Sequence, residues 1–494
     1  MKKLVILIVA LAFAFSLAAC QEGRDTTVLR WNIGADPLTL DPSLNGASDG
    51  GDVINNTFEG LVREFNGVVE PGIAESWVTS ADGKTITFTL RDSVWSDGSD
   101  LTASDFVYTW LRAMDPATAS EYAWIWEYTN VVGALEYVYF TDEADNVTGD
   151  ENVYNDDGIL TSADFSDGLD DDTGFTMAES RANVGISAPD ANTLVVELVN
   201  PTSYFVSLMA FYHFMPVKQS SVEAVGGEEG LWAKKPDLAV CNGPFKLTAY
   251  TLGDGLVLEK NDNYWEADSV KLQKIEGSFI DNESTAYDKY NAGELDYIPS
   301  VPSSEMTRLI AEDPEFHVYA LLGTYYYSFN FDNADGLFDN VKLRKALSYA
   351  IDREAIVESL GGGQVPAAGF IPPGFTDNNG NDFFEEAGTY GMVADDSNFA
   401  TAVTLFAEAA AEMEMTVAQL KAALAASELS YNTSDAHAMV AQLVQESWNQ
   451  VLGFQMSLAN SEWAIFQVDR KNGNFDVARG GWLTDFMDPI GMLA

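Results

Sequence analysis

Basic residues, histidine and cysteine are scarce in this chain, and each scarcity removes a class of function. Lysine and arginine number 26 against 76 aspartates and glutamates, a formal charge of −50, so nucleic acid and other polyanions are repelled rather than bound. The three histidines, His213, His317 and His437, stand nowhere at metal-ligand spacing to one another, and neither a metal site nor a cofactor is expected. No serine occupies a glycine-flanked nucleophile motif. The trio Gly361-Gly362-Gly363 lacks the Lys-Ser/Thr that a phosphate loop needs and reads as a plain loop. With only Cys20 and Cys241 there is no disulfide framework. So acidic a sequence leaves a glycosidase-like pair of carboxylates open, but singles none out.

What is present begins with an export signal. Lys2 and Lys3 precede an apolar run from Leu4 to Ala19, shorter than the roughly 20 residues of a membrane span, and no second such run follows. Leu17-Ala18-Ala19-Cys20 resembles the cleavage motif of bacterial lipoproteins, which implies a lipid on the Cys20 thiol and anchoring to the membrane's extracytoplasmic face. A signal peptide followed by a coincidental cysteine is the plainer alternative. Cys241, before Asn242-Gly243-Pro244, reads as a small buried residue ahead of a turn. A content of 47% hydrophobic and 12% aromatic residues over this length predicts two or three domains.

Period-two alternation predicts strands over 28–33, 84–91, 193–198, 245–250 and 255–260, and their wide spacing predicts a sheet built from distant segments. Helical patterning predicts 55–62, with Phe58 and Leu61 inward, and 102–113, capped by Thr102 or Ser104. It also predicts 340–350, with Val341, Leu347 and Ala350 inward, and a helix from Asp352 to Gly361. A mostly surface pair follows over 400–426, and the clearest helix, 434–452, stops at Gly453. Residues 141–181 predict an acidic surface insertion, whose oxygen-rich stretches 155–158 and 170–174 lack the spacing of a calcium loop.

A series of short motifs runs through the chain. They are Leu40-Asp41-Pro42, Phe58-Glu59-Gly60-Leu61-Val62, Pro71-Gly72-Ile73-Ala74-Glu75-Ser76-Trp77, Trp95-Ser96-Asp97-Gly98 and Asp105-Phe106-Val107-Tyr108-Thr109-Trp110. Asn242-Gly243-Pro244-Phe245, Asn263-Tyr264-Trp265, Gly323-Thr324-Tyr325-Tyr326-Tyr327 and Ala350-Ile351-Asp352-Arg353 continue it. By these the chain resembles, over nearly its whole length, the oligopeptide-binding proteins, solute-binding family five of the ABC importers.

The resemblance implies a mixed α/β, two-lobed fold of the type II periplasmic-binding-protein kind in three domains. Residues 26–57 and 184–278 would form the first, 58–183 the second with the insertion, and 279–494 the third. Family members continue past the counterpart of Asp488-Pro489, so a return segment to the first domain is expected to be missing. The implied function is that of a monomeric receptor, not an enzyme, which captures oligopeptides and delivers them to permease subunits. Receptors for dipeptides, cell-wall peptides, haem or nickel complexes on the same scaffold remain alternatives, as does an enzyme or signalling receptor derived from it.

By the same resemblance, Asp485 pairs with the peptide's α-ammonium group, and Arg470, Arg479 and His437 meet its carboxylate. Trp463 lines a side-chain pocket, and the backbone around Gly481 and Trp482 pairs with the ligand as an added strand. The chemistry agrees, because a receptor indifferent to peptide sequence must hold the backbone amides and the two charged ends. Each residue also has a structural reading: Asp485 as a turn carboxylate, Trp463 as a core aromatic, the arginines as surface ion pairs and His437 as a solvated position.

Overall fold

A computed structural model describes residues 24–65, 68–140, 177–225, 230–331, 333, 336–377, 379–389, 392–393 and 395–493. Cys20 and the acidic stretches at 155–158 and 170–174 lie outside the described residues. Among the described residues no helix is long and apolar enough to cross a membrane.

Two hydrophobic cores divide the molecule. The first gathers Trp31 through Ile275 together with Phe486, and the second gathers Leu337 through Val477. The principal strands of the first lobe are, in chain order, β1 (Val28–Asn32), β2 (Ala74–Thr79), β3 (Thr85–Leu90), β4 (Ile186–Asp190), β5 (Thr193–Glu197), β6 (Phe245–Thr251), β7 (Gly255–Lys260) and β8 (Lys274–Ser278). They form two four-stranded sheets, β1-β8-β7-β6 and β2-β3-β5-β4. Only β1 and β8 run parallel, joining segments some 240 residues apart in the chain as the strand spacing predicts. β5 pairs with β3 and β4 with β5, so residues 186–197 share the sheet of 74–90.

Helix α1 (Ser48–Thr57) ends where a helix over 55–62 was expected. Phe58 and Leu61 are buried as predicted, but outside any helix, because the Asn242 side chain brackets Glu59, accepting its N–H at 3.1 Å and donating to its carbonyl at 2.8 Å. Gly50 and Gly51 hide α1 from propensity reasoning, yet packing demands them: a Cβ on Gly51 would meet the Tyr212 ring at 2.8 Å. Helix α2 (Ala103–Met114) starts where the sequence places it, with the Asp105 carboxylate accepting the Thr102 N–H at 2.7 Å. It buries Phe106 and Trp110, whose indole donates to the Phe214 carbonyl at 2.9 Å.

The second lobe is built on β9 (Gly323–Phe329), β10 (Glu428–Asn432), β11 (Ser457–Ser461) and β12 (Val477–Leu483), in the order β9-β12-β10-β11. Its principal helices are α3 (Val341–Tyr349), α4 (Arg353–Leu360), α5 (Phe399–Glu412), α6 (Val417–Ala426), α7 (Asp435–Leu452) and α8 (Trp463–Lys471). Asp352 caps α4 by accepting from Ala355 N–H at 2.9 Å, and Gly361 ends it with φ 64°. Val341, expected inward, is exposed at the first turn of α3, whose buried residues are Leu343, Ala346 and Leu347. The α5–α6 pair is less superficial than predicted, since Ala402, Phe406, Ala409, Ala410, Leu420 and Leu424 join the second core. Cys241 is buried, and burial pushes its thiol up to about 12.

The Asp41 carboxylate anchors the first lobe. Fully buried, it receives both terminal nitrogens of Arg112, at 3.0 and 2.7 Å, and the Trp232 indole at 2.8 Å. Asp41→Ala would strand a buried guanidinium, so it is expected to cost about 3–5 kcal/mol, read as a lowered denaturant midpoint; a loss under about 1 kcal/mol would contradict this account.

Candidate ligand-binding cleft

The chain crosses between the lobes after β8 and again after β12. At the first crossing Asn32 holds Ile280, donating to its carbonyl at 3.1 Å and accepting its N–H at 3.2 Å. At the second, Phe486 stacks on Tyr204 with ring centroids 5.0 Å apart and enters the first core. Trp482, next to that crossing, packs on Tyr122 and Trp124 of the first lobe, and its indole N–H donates to the Gly491 carbonyl at 2.7 Å. Its polar atom is thus committed within the chain. Lys471 pairs with Glu121 across the gap between lobes.

β12 reaches this boundary with one edge uncovered. Thr484 N–H donates to Leu322 O and Asn330 N–H to Asp476 O, both at 3.0 Å, so the even-numbered residues turn their backbone groups toward β9. Residues 479, 481 and 483 turn theirs the other way. There β10 pairs only at Val477 and Ser430–Ala478 before diverging, and no strand of the described residues covers the rest. Gly481 is exposed on that edge, and a Cβ there would touch only Arg479 Nη1, at 3.6 Å. Gly480, by contrast, is capped by the Tyr326 ring.

Arg479 projects from the same strand. Its Nε donates to Asn432 Oδ1 at 2.7 Å, and its guanidinium lies 5.4 Å from the Trp463 ring, 5.8 Å from Phe466 and 5.9 Å from Tyr325. No carboxylate of the described residues pairs with it. Burial, the nearby Arg470 adding to it, pushes the Arg479 pKa down. Arg470 stands over Phe466 at 5.8 Å, also without a carboxylate partner among the described residues. His437, in the first turn of α7, packs against Tyr325 at 5.6 Å, and burial with Arg479 beside it lowers its pKa to about 3. The imidazole is therefore neutral at physiological pH and can serve a carboxylate as a hydrogen-bond donor, not as a cation. Trp463 opens α8 and stacks on Phe466.

Asp485 lies beyond the free edge, at the second crossing. One oxygen accepts a long 3.4 Å hydrogen bond from the Tyr122 hydroxyl; the other is buried with no partner. Burial raises its pKa to about 7. Arg479 and Asp485 thus mark the two ends of one open strand edge, one deficient in negative and the other in positive charge.

Tyr122 and Tyr325 were not singled out from sequence as site residues. The aromatic run 122–126 was the available signal for Tyr122, and the tyrosine triplet for Tyr325. Among the described residues no group of three or more His, Cys, Asp and Glu is arranged to hold a metal ion.

Two α/β lobes joined by crossing segments, with a polar, charge-bearing cleft between them, define a solute-binding protein. The profile described as bacterial extracellular solute-binding proteins, family 5 Middle, matches residues 68–494. The chain is 36% identical to the oligopeptide-binding protein OppA of Bacillus subtilis, covering 100% of this chain and 84% of the relative. Haemophilus influenzae OppA in complex with the peptide RPPGFSPFR superposes with a TM-score of 0.77 at 30% identity, covering 95% and 82% of the two chains. The murein tripeptide binding protein MppA of Escherichia coli, 31% identical, covers 94% of this chain and 81% of its own with a TM-score of 0.76; its unliganded open form gives 0.55 over 95% and 81%. The lobes are therefore arranged unlike that open form. This chain belongs to the family 5 extracellular solute-binding proteins, which are transport receptors and not enzymes.

The Asp485 carboxyl titrates near 7 in the folded chain and near the ordinary value of about 3.9 when unfolded. Between those values the folded chain holds a proton that the unfolded chain has released, so stability falls as pH rises from about 4 to about 7 and stays lower above. Asp485→Asn is expected to raise the melting temperature of the ligand-free protein at pH 8, the gain vanishing by about pH 4. A pH-independent difference would contradict this.

Proposed function

We propose that the chain captures short peptides with free ends and delivers them to the permease of an ABC importer, working as a monomer from the extracytoplasmic face of the membrane, tethered by lipid on Cys20. The ligand lies extended along the free edge of β12, exchanging backbone hydrogen bonds with residues 479, 481 and 483 around Gly481. Its α-ammonium group pairs with Asp485 and its carboxylate with Arg479, or with Arg470 and His437 for other lengths. Trp463 walls a side-chain pocket. Arg479 and Asp485 stand six residues apart, at most about 20 Å at the roughly 3.3 Å per residue of a strand, which suits three to five peptide residues once the Arg479 side chain reaches inward. The two crossings serve as the hinge, and the Glu121–Lys471 pair favours the closed state.

The observation that carries this reading is the buried Asp485 oxygen with no partner at the end of an unpaired strand edge. The same family serves several solutes: its members similar to this chain include a dipeptide-binding protein and a protein described as a probable deoxycholate-binding one. Calorimetry with a tri- to pentapeptide pool is expected to give saturable binding. Asp485→Ala should cost about 3–5 kcal/mol, a hundredfold or more in Kd, and N-acetylation of the peptide should weaken wild-type binding similarly. Unchanged affinity on acetylation would overturn the register.

A further inference from the structure

The first crossing between the lobes is fastened at both ends, and its far end holds the turn that carries His437. On the first-lobe side the Asn32 side chain brackets Ile280. Beyond Asp281, the short helix Glu283–Asn291 and its cap Asn282 reach the amino end of α7. The Glu283 carboxylate accepts the Ser434 hydroxyl and the Asp435 N–H, both at 2.6 Å. The Asp435 carboxylate in turn accepts the Ser284 hydroxyl at 2.8 Å and the Asn282 side-chain amide at 3.4 Å. A single residue, Asp281, separates the two fastenings.

Ser434 is the cap of α7, and its hydroxyl oxygen also accepts the His437 N–H at 3.3 Å. The same hydroxyl therefore links the Glu283 carboxylate to the backbone of His437. Glu283 forms no ion pair with a lysine or arginine of the described residues; its charge is met by the amino end of an 18-residue helix, where the helix dipole favours it. At the other end of the link, the Tyr325 ring lies 5.6 Å from the His437 ring and 5.9 Å from the Arg479 guanidinium. The first turn of α7 thus borders the cation left without a carboxylate on β12.

Resting on the peptide-binding reading above, we propose that Glu283 is a positioning residue for the carboxylate end of the ligand site. Through Ser434 it sets where the His437 imidazole stands, so the first crossing and that part of the site move as one piece. An imidazole fixed before the ligand arrives spares the binding free energy the ordering of a frayed first turn.

The test is calorimetry on the intact chain with tri-, tetra- and penta-alanine, in the wild type, His437→Ala, Glu283→Ala and the double variant. His437→Ala identifies the length whose carboxylate the imidazole meets. At that length Glu283→Ala is expected to raise Kd about tenfold, against less than about twofold at the others, and to add little in the His437→Ala background. Ser434→Ala cuts the same link from the other side and should reproduce the pattern, which keeps the test decisive if Glu283→Ala does not fold. Equal weakening at every length, or additive effects of the two substitutions, would make Glu283 a stabiliser of the lobe and overturn the proposal. Unchanged affinity in Glu283→Ala, or a His437→Ala variant that binds all three lengths as the wild type does, would also overturn it and leave the peptide reading standing. Failure of the wild type to bind any of the three would overturn both.

Discussion

Charges held out of water without partners are the constraint around which the cleft is organised. An ionised carboxylate taken from water costs several kcal/mol even after relaxation, and it persists only where the fold over-determines its position. Asp485 is fixed by the crossing at Phe486, and Arg479 by β12 and a shell of three aromatic rings. Elsewhere the chain neutralises its buried charges with care, as the fork between Arg112 and Asp41 illustrates. In the proposed reading, the contrast separates ion pairs that hold a lobe together from charges that the ammonium and carboxylate of a zwitterionic guest would neutralise.

The backbone imposes a parallel incompleteness. β12 runs antiparallel to β9 and parallel to β10, and its divergence from β10 after Ala478 leaves three residues with outward amides. Exposed edges of this kind invite strand addition and aggregation. Here the edge faces another lobe rather than bulk solvent, with the Tyr122, Trp124 and Trp482 cluster standing at its end. In the proposed binding mode, main-chain pairing would supply affinity that does not depend on side chains, while the charges at each end would fix register.

Much of this was legible in the sequence where local and global signals agree. The capping residues Thr102, Asp352 and Gly361 and the alternation in β3, β5, β6 and β7 mark elements whose short-range chemistry matches their final environment. Helix α1 was misplaced because its two glycines lower propensity while tertiary packing against Tyr212 requires them. That residues 186–197 share a sheet with 74–90 was not legible in the sequence, because the pairing of β5 with β3 is non-local. Motif resemblance brought Asp485, Arg479, Arg470, His437, Trp463 and Gly481 into consideration. It carried no information on Tyr122, whose hydroxyl donates a 3.4 Å hydrogen bond to Asp485. Nor could it reveal that His437 stays neutral or that the Trp482 N–H is engaged by Gly491.

The central claim, that Asp485 is a buried carboxylate awaiting an ammonium group, is open to direct measurement. Carbon-13 NMR of the chain labelled at aspartate side-chain carboxyls, assigned with Asp485→Asn, follows its titration with and without a bound tripeptide. The account predicts a midpoint near 7 in the free protein, falling below about 4 once the peptide's ammonium group is in place. A midpoint at the ordinary carboxylate value in the free protein, unmoved by saturating peptide, would contradict it.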